Sequence, residues 1–292
     1  MARQDAMVLA AGLPCWSGRV SPVPLDGGRT NSNFLVEDAG KRYVARVGGD
    51  VPAHHIVRVT EAAASRAAHA AGVSPPVVYN DATALVIGFV EGRTFEPQDV
   101  RDPANHVRLM DLVRRAHREI PLHLRGPAPL FWVFQVVRHY GHVLRELGSV
   151  HVAGLAEFGA KADVLERAVG PVDLVFGHND LLAANIIDDG TKLWLIDWEY
   201  AGFNSPLFDL GGLASNNEVS PEAAEHMAAL YFGRPLDNAL RRRIAAMSAA
   251  SLLRETMWSR VCEQTSALVF DYRAYTAENL RRFVAAYREF SQ

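Results

Sequence analysis

Apolar and polar positions change their period near residue 92. Before it, short runs at residues 20–25, 34–37, 43–47, 77–79 and 84–90 predict strands that follow a short N-terminal helix. One helix interrupts them: residues 58–71 carry helical spacing and stop at Gly72, suited to the left-handed turn that closes a helix. Beyond Gly92, helix-length segments take over at 103–119, 130–147 and 155–169, and later at 221–232, 237–265 and 271–290. Between these groups, 172–176 reads as a short buried segment broken only by Asp173. The runs 186–187 and 193–196 read as two strands around an Asp188-Asp189-Gly190 turn. The expectation is an α+β chain with a small β-rich lobe, residues 1–91, and a larger, mainly helical lobe, residues 92–292, joined near 89–94.

The predicted hairpin gathers the most informative residues. His178-Asn179-Asp180 precedes it, Asn185 enters its first strand, and Asp197 leaves its second, followed by Trp198-Glu199-Tyr200. Singly, Asp and Asn in such places are ordinary loop residues. Together they supply what MgATP-dependent phosphoryl transfer requires. One carboxylate, Asp180, takes the proton of an attacking hydroxyl, while an amide and a second carboxylate, Asn185 and Asp197, hold Mg²⁺ against a triphosphate. His178 reads as a prop for the loop backbone.

Composition narrows the classes without naming one. The 292 residues are 49% hydrophobic and 22% charged, with a formal charge of −3, so nothing marks a nucleic-acid surface. No apolar run approaches the length of a membrane span, and the first residues lack a secretory pattern. Cys15 and Cys262 imply no disulfide framework, which makes a reducing cytoplasm the expected location. Either a monomer or a homodimer is compatible with the sequence.

H-N-D-L-L-A-A-N-I-I followed by L-I-D-W-E-Y-A-G-F-N-S-P-L-F-D-L closely resembles the choline/ethanolamine kinase family, particularly its bacterial members. The likeness extends upstream to L-D-G-G-R-T-N-S-N-F and downstream to M-W-S and F-D-Y-R-A-Y, so it spans nearly the whole chain. The resemblance implies a bilobal protein kinase-like fold shared with aminoglycoside phosphotransferases, with ATP and Mg²⁺ as cofactors. Position by position it implies Asp180 as catalytic base and Asn185 and Asp197 as metal ligands. Gly27, Gly28, Thr30, Asn31 and Asn33 would form the turn over the phosphates, where glycine allows close backbone approach and amides donate. Arg46 stands where related kinases carry their phosphate-gripping cation, with Glu61 as the carboxylate that positions it. Phe89 falls at the expected hinge, beside the adenine.

The acceptor is harder to read. Asp180, Asp197, Glu199, Asp209 and Glu218 concentrate acidic charge, which suits a cationic acceptor. Tyr200, Trp258, Tyr272 and Tyr275 offer faces to an ammonium group, whereas Phe270 reads as core. The resemblance places Tyr200 and Trp258 in the pocket. One departure stands out: where choline kinases commonly carry a second Trp shortly before the Trp-Ser pair, this chain reads Leu253-Arg254-Glu255-Thr256-Met257. Glu255 in place of an aromatic wall would favour an amine that donates hydrogen bonds. A second departure is Asn216-Asn217, where an acidic residue is expected and Glu218 would substitute. The expected substrate is thus a small amino alcohol of choline or ethanolamine type. An aminoglycoside or thiamine-like acceptor, or an idle nucleotide-binding protein, are the alternatives.

Overall fold

A computed structural model describes residues 3–25, 31–266, 268 and 270–292. Helix α1 (Arg3–Ala11) precedes strands β1 (Val23–Leu25), β2 (Ser32–Asp38) and β3 (Lys41–Val47). Helix α2 (Arg58–Ala70) intervenes before β4 (Val77–Asn80) and β5 (Ala84–Gly88). These strands form one antiparallel sheet of order β1-β2-β3-β5-β4. The β2–β3 turn places Ala39 and Gly40 at φ 49° and 73°, the left-handed pair that a tight hairpin demands.

Side chains alternate across the pleat, so the sheet has two faces with different fates. Phe34, Val36, Ala45, Val47, Ala84 and Val86 bury against Ala6 and Ala10 of α1. On the other face, Leu85 and Ile87 meet Ala62 of α2. Arg46 belongs to that second face, flanked in register by Asn33 on β2 and Leu85 on β5. Helix α2 also turns Ala64, Ala67 and Ala68 into the large core that continues through the C-terminal helices.

After β5 the chain narrows at Gly92, where an added Cβ would lie 2.5 Å from the Asp188 carbonyl oxygen, so only glycine lets the chain pass. Next come β6 (Arg93–Thr94), α3 (Pro97–Arg101), α4 (Pro103–His123), α5 (Val133–Glu146) and α6 (Leu155–Val169). Then follow β7 (Val175–Gly177), β8 (Ile186–Asp188), β9 (Leu193–Leu195), β10 (Gly202–Asn204), α7 (Pro206–Asn216) and α8 (Pro221–Phe232). The chain ends with α9 (Asn238–Thr265) and α10 (Tyr272–Phe290). The β8–β9 hairpin forms as expected and gains β6 as a third strand. Arg108 on α4 grips Asp188 through two hydrogen bonds of 2.8 and 2.7 Å, fixing the hairpin to the helical layer.

Helix α9 is the axis of that layer, with α5, α6, α7 and α10 around it. Residues 249–262 are consequently buried on every side, which normally demands apolar residues throughout. Ser251, Arg254, Glu255, Thr256, Ser259 and Arg260 break that rule and mark polar business in the interior. Three expectations need correction. The segment 172–176 is not a buried run: Leu174 is 58% exposed, and only the β7 residues pair, with the unforeseen strand β10. The helix expected over 130–147 starts at Val133, because Leu130 bridges Phe203 beside β10. Phe270, expected in the core, is 41% exposed and stacks edge-on against Tyr272 and Tyr275. Among the described residues no helix is long and apolar enough to cross a membrane.

Candidate active site

The His178-Asn179-Asp180 loop leaves β7 and is held from below by one buried carboxylate. Asp209, in the first turn of α7, accepts the backbone N–H of His178 at 2.8 Å and of Asn179 at 2.7 Å. His117 of α4 approaches the same carboxylate at 2.9 Å and contacts the Tyr231 hydroxyl at 2.7 Å through its other ring nitrogen. Burial alone would raise the Asp209 pKa, but the His117 hydrogen bond and neighbouring donors bring it below the ordinary carboxylate value. Asn179 adopts φ 65°, a left-handed conformation that Asn tolerates. Its amide nitrogen donates to Tyr200 O at 3.0 Å, and its oxygen accepts from Asn204 at 3.0 Å. His178 is buried, with Nε2 2.9 Å from Ile196 O, so this histidine ties the loop to the hairpin.

Asp180 therefore projects from a braced turn. Asn185 stands beside it: its Nδ2 donates to Asp180 O at 3.0 Å, leaving Oδ1 as the atom for a cation. Asn185 O accepts Ile196 N at 3.0 Å, which brings Asp197 to the same end of the hairpin. Asp197 itself sits at φ 69°, in the left-handed region.

Asp197 faces Arg46 across the space between sheet and hairpin, with Nη2 2.5 Å from Oδ1. The same nitrogen lies 3.3 Å from Glu61 and 3.6 Å from Glu199. Arg58, one turn before Glu61, donates to it at 2.5 Å, and Asn31 donates to Glu199 at 3.0 Å. Burial, reinforced by Asp197, pushes the Glu199 carboxyl up to about 8. Burial disfavours the Arg46 charge, but Asp197, Glu61 and Glu199 more than offset it. One carboxylate oxygen from each of Glu61, Asp197 and Glu199 lies within 4.8 Å of the others, an all-oxygen set that suits a hard divalent cation. Glu199, expected on the acceptor side, is thus placed with Asp197 instead; two residues apart beyond the strand end, both turn to the side where Arg46 waits.

The opposite flank of Asp180 belongs to α9. Arg254 Nη1 donates to Asp180 Oδ1 at 3.2 Å and pairs with Glu255. Its guanidinium carbon lies 4.3 Å from the centre of the Tyr200 ring. Tyr200 accepts the Trp258 indole N–H at 3.0 Å, and Tyr275 donates to the second Glu255 oxygen at 3.0 Å. Burial, together with Glu255 and Asp197 and against Arg254, raises the Asp180 carboxyl to about 7.

Several expected residues stand differently from the sequence reading. Glu255 is close to Asp180, but one of its oxygens is paired with Arg254 and the other accepts the Tyr275 hydroxyl, so an amine would share it with these partners. The Tyr272 hydroxyl meets Ser266 at 2.8 Å while its ring leans on Trp258 at 6.0 Å. Phe89 donates its N–H to Arg42 O at 3.1 Å, and the Arg42 guanidinium covers its ring at 4.5 Å. Asn33 is beside Arg46 on the sheet. Gly27, Gly28 and Thr30 lie outside the described residues. Glu218 does not replace an acidic residue here: it is exposed, in a groove it shares with Arg281 and Arg282. The work at that position falls to Asn217, whose oxygen accepts Ala183 N at 2.9 Å and whose nitrogen donates to Leu181 O at 3.2 Å and Leu213 O at 2.8 Å.

Arg58, Arg254 and Asn217 were not legible as site residues. Arg254 offered one signal, a charge beside the M-W-S segment inside a helix too long to be peripheral. Asn217→Ala removes three hydrogen bonds from a residue only 1% exposed and should lower stability by about 1–3 kcal/mol. It should also depress kcat, because residues 181–183 lose their support. Thermal denaturation and ADP release check both; unchanged kcat in a folded variant would detach Asn217 from the site.

Residues 23–221 match the family model described as choline/ethanolamine kinase. Protein LicA of Haemophilus influenzae is 27% identical over 210 residues, covering 70% of this chain and 61% of its own length. The crystal structure of a choline/ethanolamine kinase family protein from Mesorhizobium loti covers all of this chain and 97% of its own, with TM-score 0.79 and 29% identity. A LicA structure in complex with AMP aligns at TM-score 0.76 and 20% identity, covering 97% of each chain, and shares the protein kinase-like fold. With a family match over more than half its length, this chain belongs to the choline/ethanolamine kinase family.

Proposed function

We propose that the chain transfers the γ-phosphoryl group of ATP to the hydroxyl of a small amino alcohol of choline or ethanolamine type. The observation that carries this reading is the convergence of Asp180, Asn185 and Asp197 at one end of the β8–β9 hairpin, opposite Arg46 on the sheet. Family membership and the AMP held by the LicA structure support ATP as donor. Asp180 takes the acceptor proton as its oxygen bonds to phosphorus, the bond from phosphorus to the bridging oxygen breaks, and ADP leaves. Arg254, bonded to Asp180, holds that carboxylate in place. Arg46, tied to Glu61 and Asp197, supplies a fixed charge toward the phosphates. Asn185 and Asp197 would hold Mg²⁺, whose charge offsets that of the triphosphate; the neighbouring oxygens of Glu61 and Glu199 extend the donor set. Residues 1–91 would serve the nucleotide and residues 92–292 the acceptor.

An ADP-release assay with MgATP and a panel of choline, ethanolamine, their methylated intermediates and aminopropanol tests the reading. Preference for neutral sugars over every amine would overturn the acceptor class. The same assay carries a pH prediction. A base must be deprotonated to act, and the Asp180 carboxyl sits at about 7, so kcat should rise tenfold per unit as pH climbs toward 7 and level above it. A profile flat across that range would remove Asp180 from proton transfer.

A further inference from the structure

The Tyr200 face, which a quaternary ammonium would need, already carries a cation. The Arg254 guanidinium lies 4.3 Å from the ring centre, and Phe131 is 5.9 Å away on the same group. This arginine comes from the protein's own central helix and is 3% exposed. Its Nη1 is committed to Asp180 and Glu255. Nε and Nη2 are buried and find no hydrogen-bond acceptor among the described residues. Those two nitrogens form one edge of the guanidinium plane, the parallel fork that matches the two oxygens of a carboxylate. Burying such an edge unpaired is costly, so it marks a place where a ligand oxygen belongs.

On Nη1, at the other side of the guanidinium, stands Glu255, held by Tyr275 at 3.0 Å, with Tyr275 against Trp258 at 6.2 Å between ring centres. The acceptor flank of Asp180 thus presents adjacent opposite charges rather than an acidic box. Such a pair complements a molecule that itself carries adjacent opposite charges, because each ligand charge finds its partner without leaving a buried protein charge alone.

We propose that the acceptor is an amino alcohol that also bears a carboxylate, a hydroxylated amino acid, with Arg254 taking the carboxylate, Glu255 the ammonium and Asp180 the hydroxyl. This rests on the amino-alcohol kinase reading and narrows it. Arg254 is a specificity residue: it selects the acceptor and orients its hydroxyl toward Asp180.

The test uses matched acceptors that differ only in the carboxylate: serine against ethanolamine, and homoserine against 3-aminopropan-1-ol, with choline alongside. ADP release with MgATP gives kcat/KM for each. In the wild-type protein the carboxylated member of at least one pair should lead by about 10–100-fold, the worth of a charge-assisted bidentate contact, and mainly through KM. Arg254→Leu should bring that ratio near unity and raise choline relative to the amino acids; Arg254→Lys, which keeps charge but loses the fork, should fall between. Because Arg254 also touches Asp180, every rate will drop in the variants, and the ratio within a pair cancels that common loss. Preference of the wild-type protein for ethanolamine, aminopropanol or choline over the carboxylated compounds overturns the proposal and leaves the amino-alcohol reading standing. So does a pair ratio unchanged in Arg254→Leu. Turnover of none of these acceptors overturns both.

Discussion

Asp180→Asn is expected to lower kcat by about 10²–10⁴-fold, the range that a positioned general base contributes. The fold should survive, because the asparagine oxygen can still accept from Arg254 Nη1, now 3.2 Å from the carboxylate. Nucleotide binding should change little, since Arg46, Asn185 and Asp197 sit on other segments and keep their partners. Measuring kcat by ADP release and nucleotide affinity by titration separates the two effects. An Asp180→Asn variant with near wild-type turnover would show that the acceptor hydroxyl needs no carboxylate there, and the mechanism would have to be drawn elsewhere.

The largest effect on stability is expected at Asp209. Its carboxylate receives three N–H groups, from His178 and Asn179 backbone and from the His117 ring, at 2% exposure. Asparagine offers one oxygen, and its NH₂ would point at an N–H that is already a donor. Asp209→Asn should therefore cost about 3–5 kcal/mol, the range for breaking one side of a buried charged network. At about 2–4 °C per kcal/mol for a chain of this size, the melting temperature should fall by roughly 10 °C. Gly177 shows how tight the spot is: a Cβ there would lie 2.7 Å from Asn179 Oδ1 and 3.3 Å from Asp209 Oδ2. Calorimetry of the variant checks the figure. A loss below about 1 kcal/mol would mean that the loop is held mainly by Asn179 and its contacts to Tyr200, Gly202 and Asn204.

The hairpin was legible because it is local. Two short apolar runs around an Asp-Asp-Gly turn fix where Asn185 and Asp197 emerge, and no distant residue is needed to bring them together. Arg46 and Glu61 were read through the resemblance, which puts a cation at the end of that strand and a carboxylate on the helix that follows. Strand β10 was not, because three residues beginning with Gly202 carry no period of their own and pair only once β7 is in place. The acceptor flank was misread for a deeper reason. Counting Glu199 and Glu218 as acidic charge toward the acceptor assumed that each faced a ligand, but Arg46 and Arg58 come from positions far along the chain to pair with Glu199, and Glu218 lies in a groove with Arg281 and Arg282. Sequence gives the sign of each charge, while tertiary pairing decides the field. Asn217 escaped for the same reason: an amide at a helix end reads as a cap, and its role under residues 181–183 depends on where α7 stops.

The most direct test of the account is phosphorus NMR of wild-type protein incubated with MgATP and an amino alcohol, with Asp180→Asn as control. The expected result is a phosphomonoester of the acceptor that grows in step with ADP in the wild-type sample and is absent from the control. ADP accompanied only by inorganic phosphate, or the same phosphomonoester formed at the same rate by the control, would contradict it.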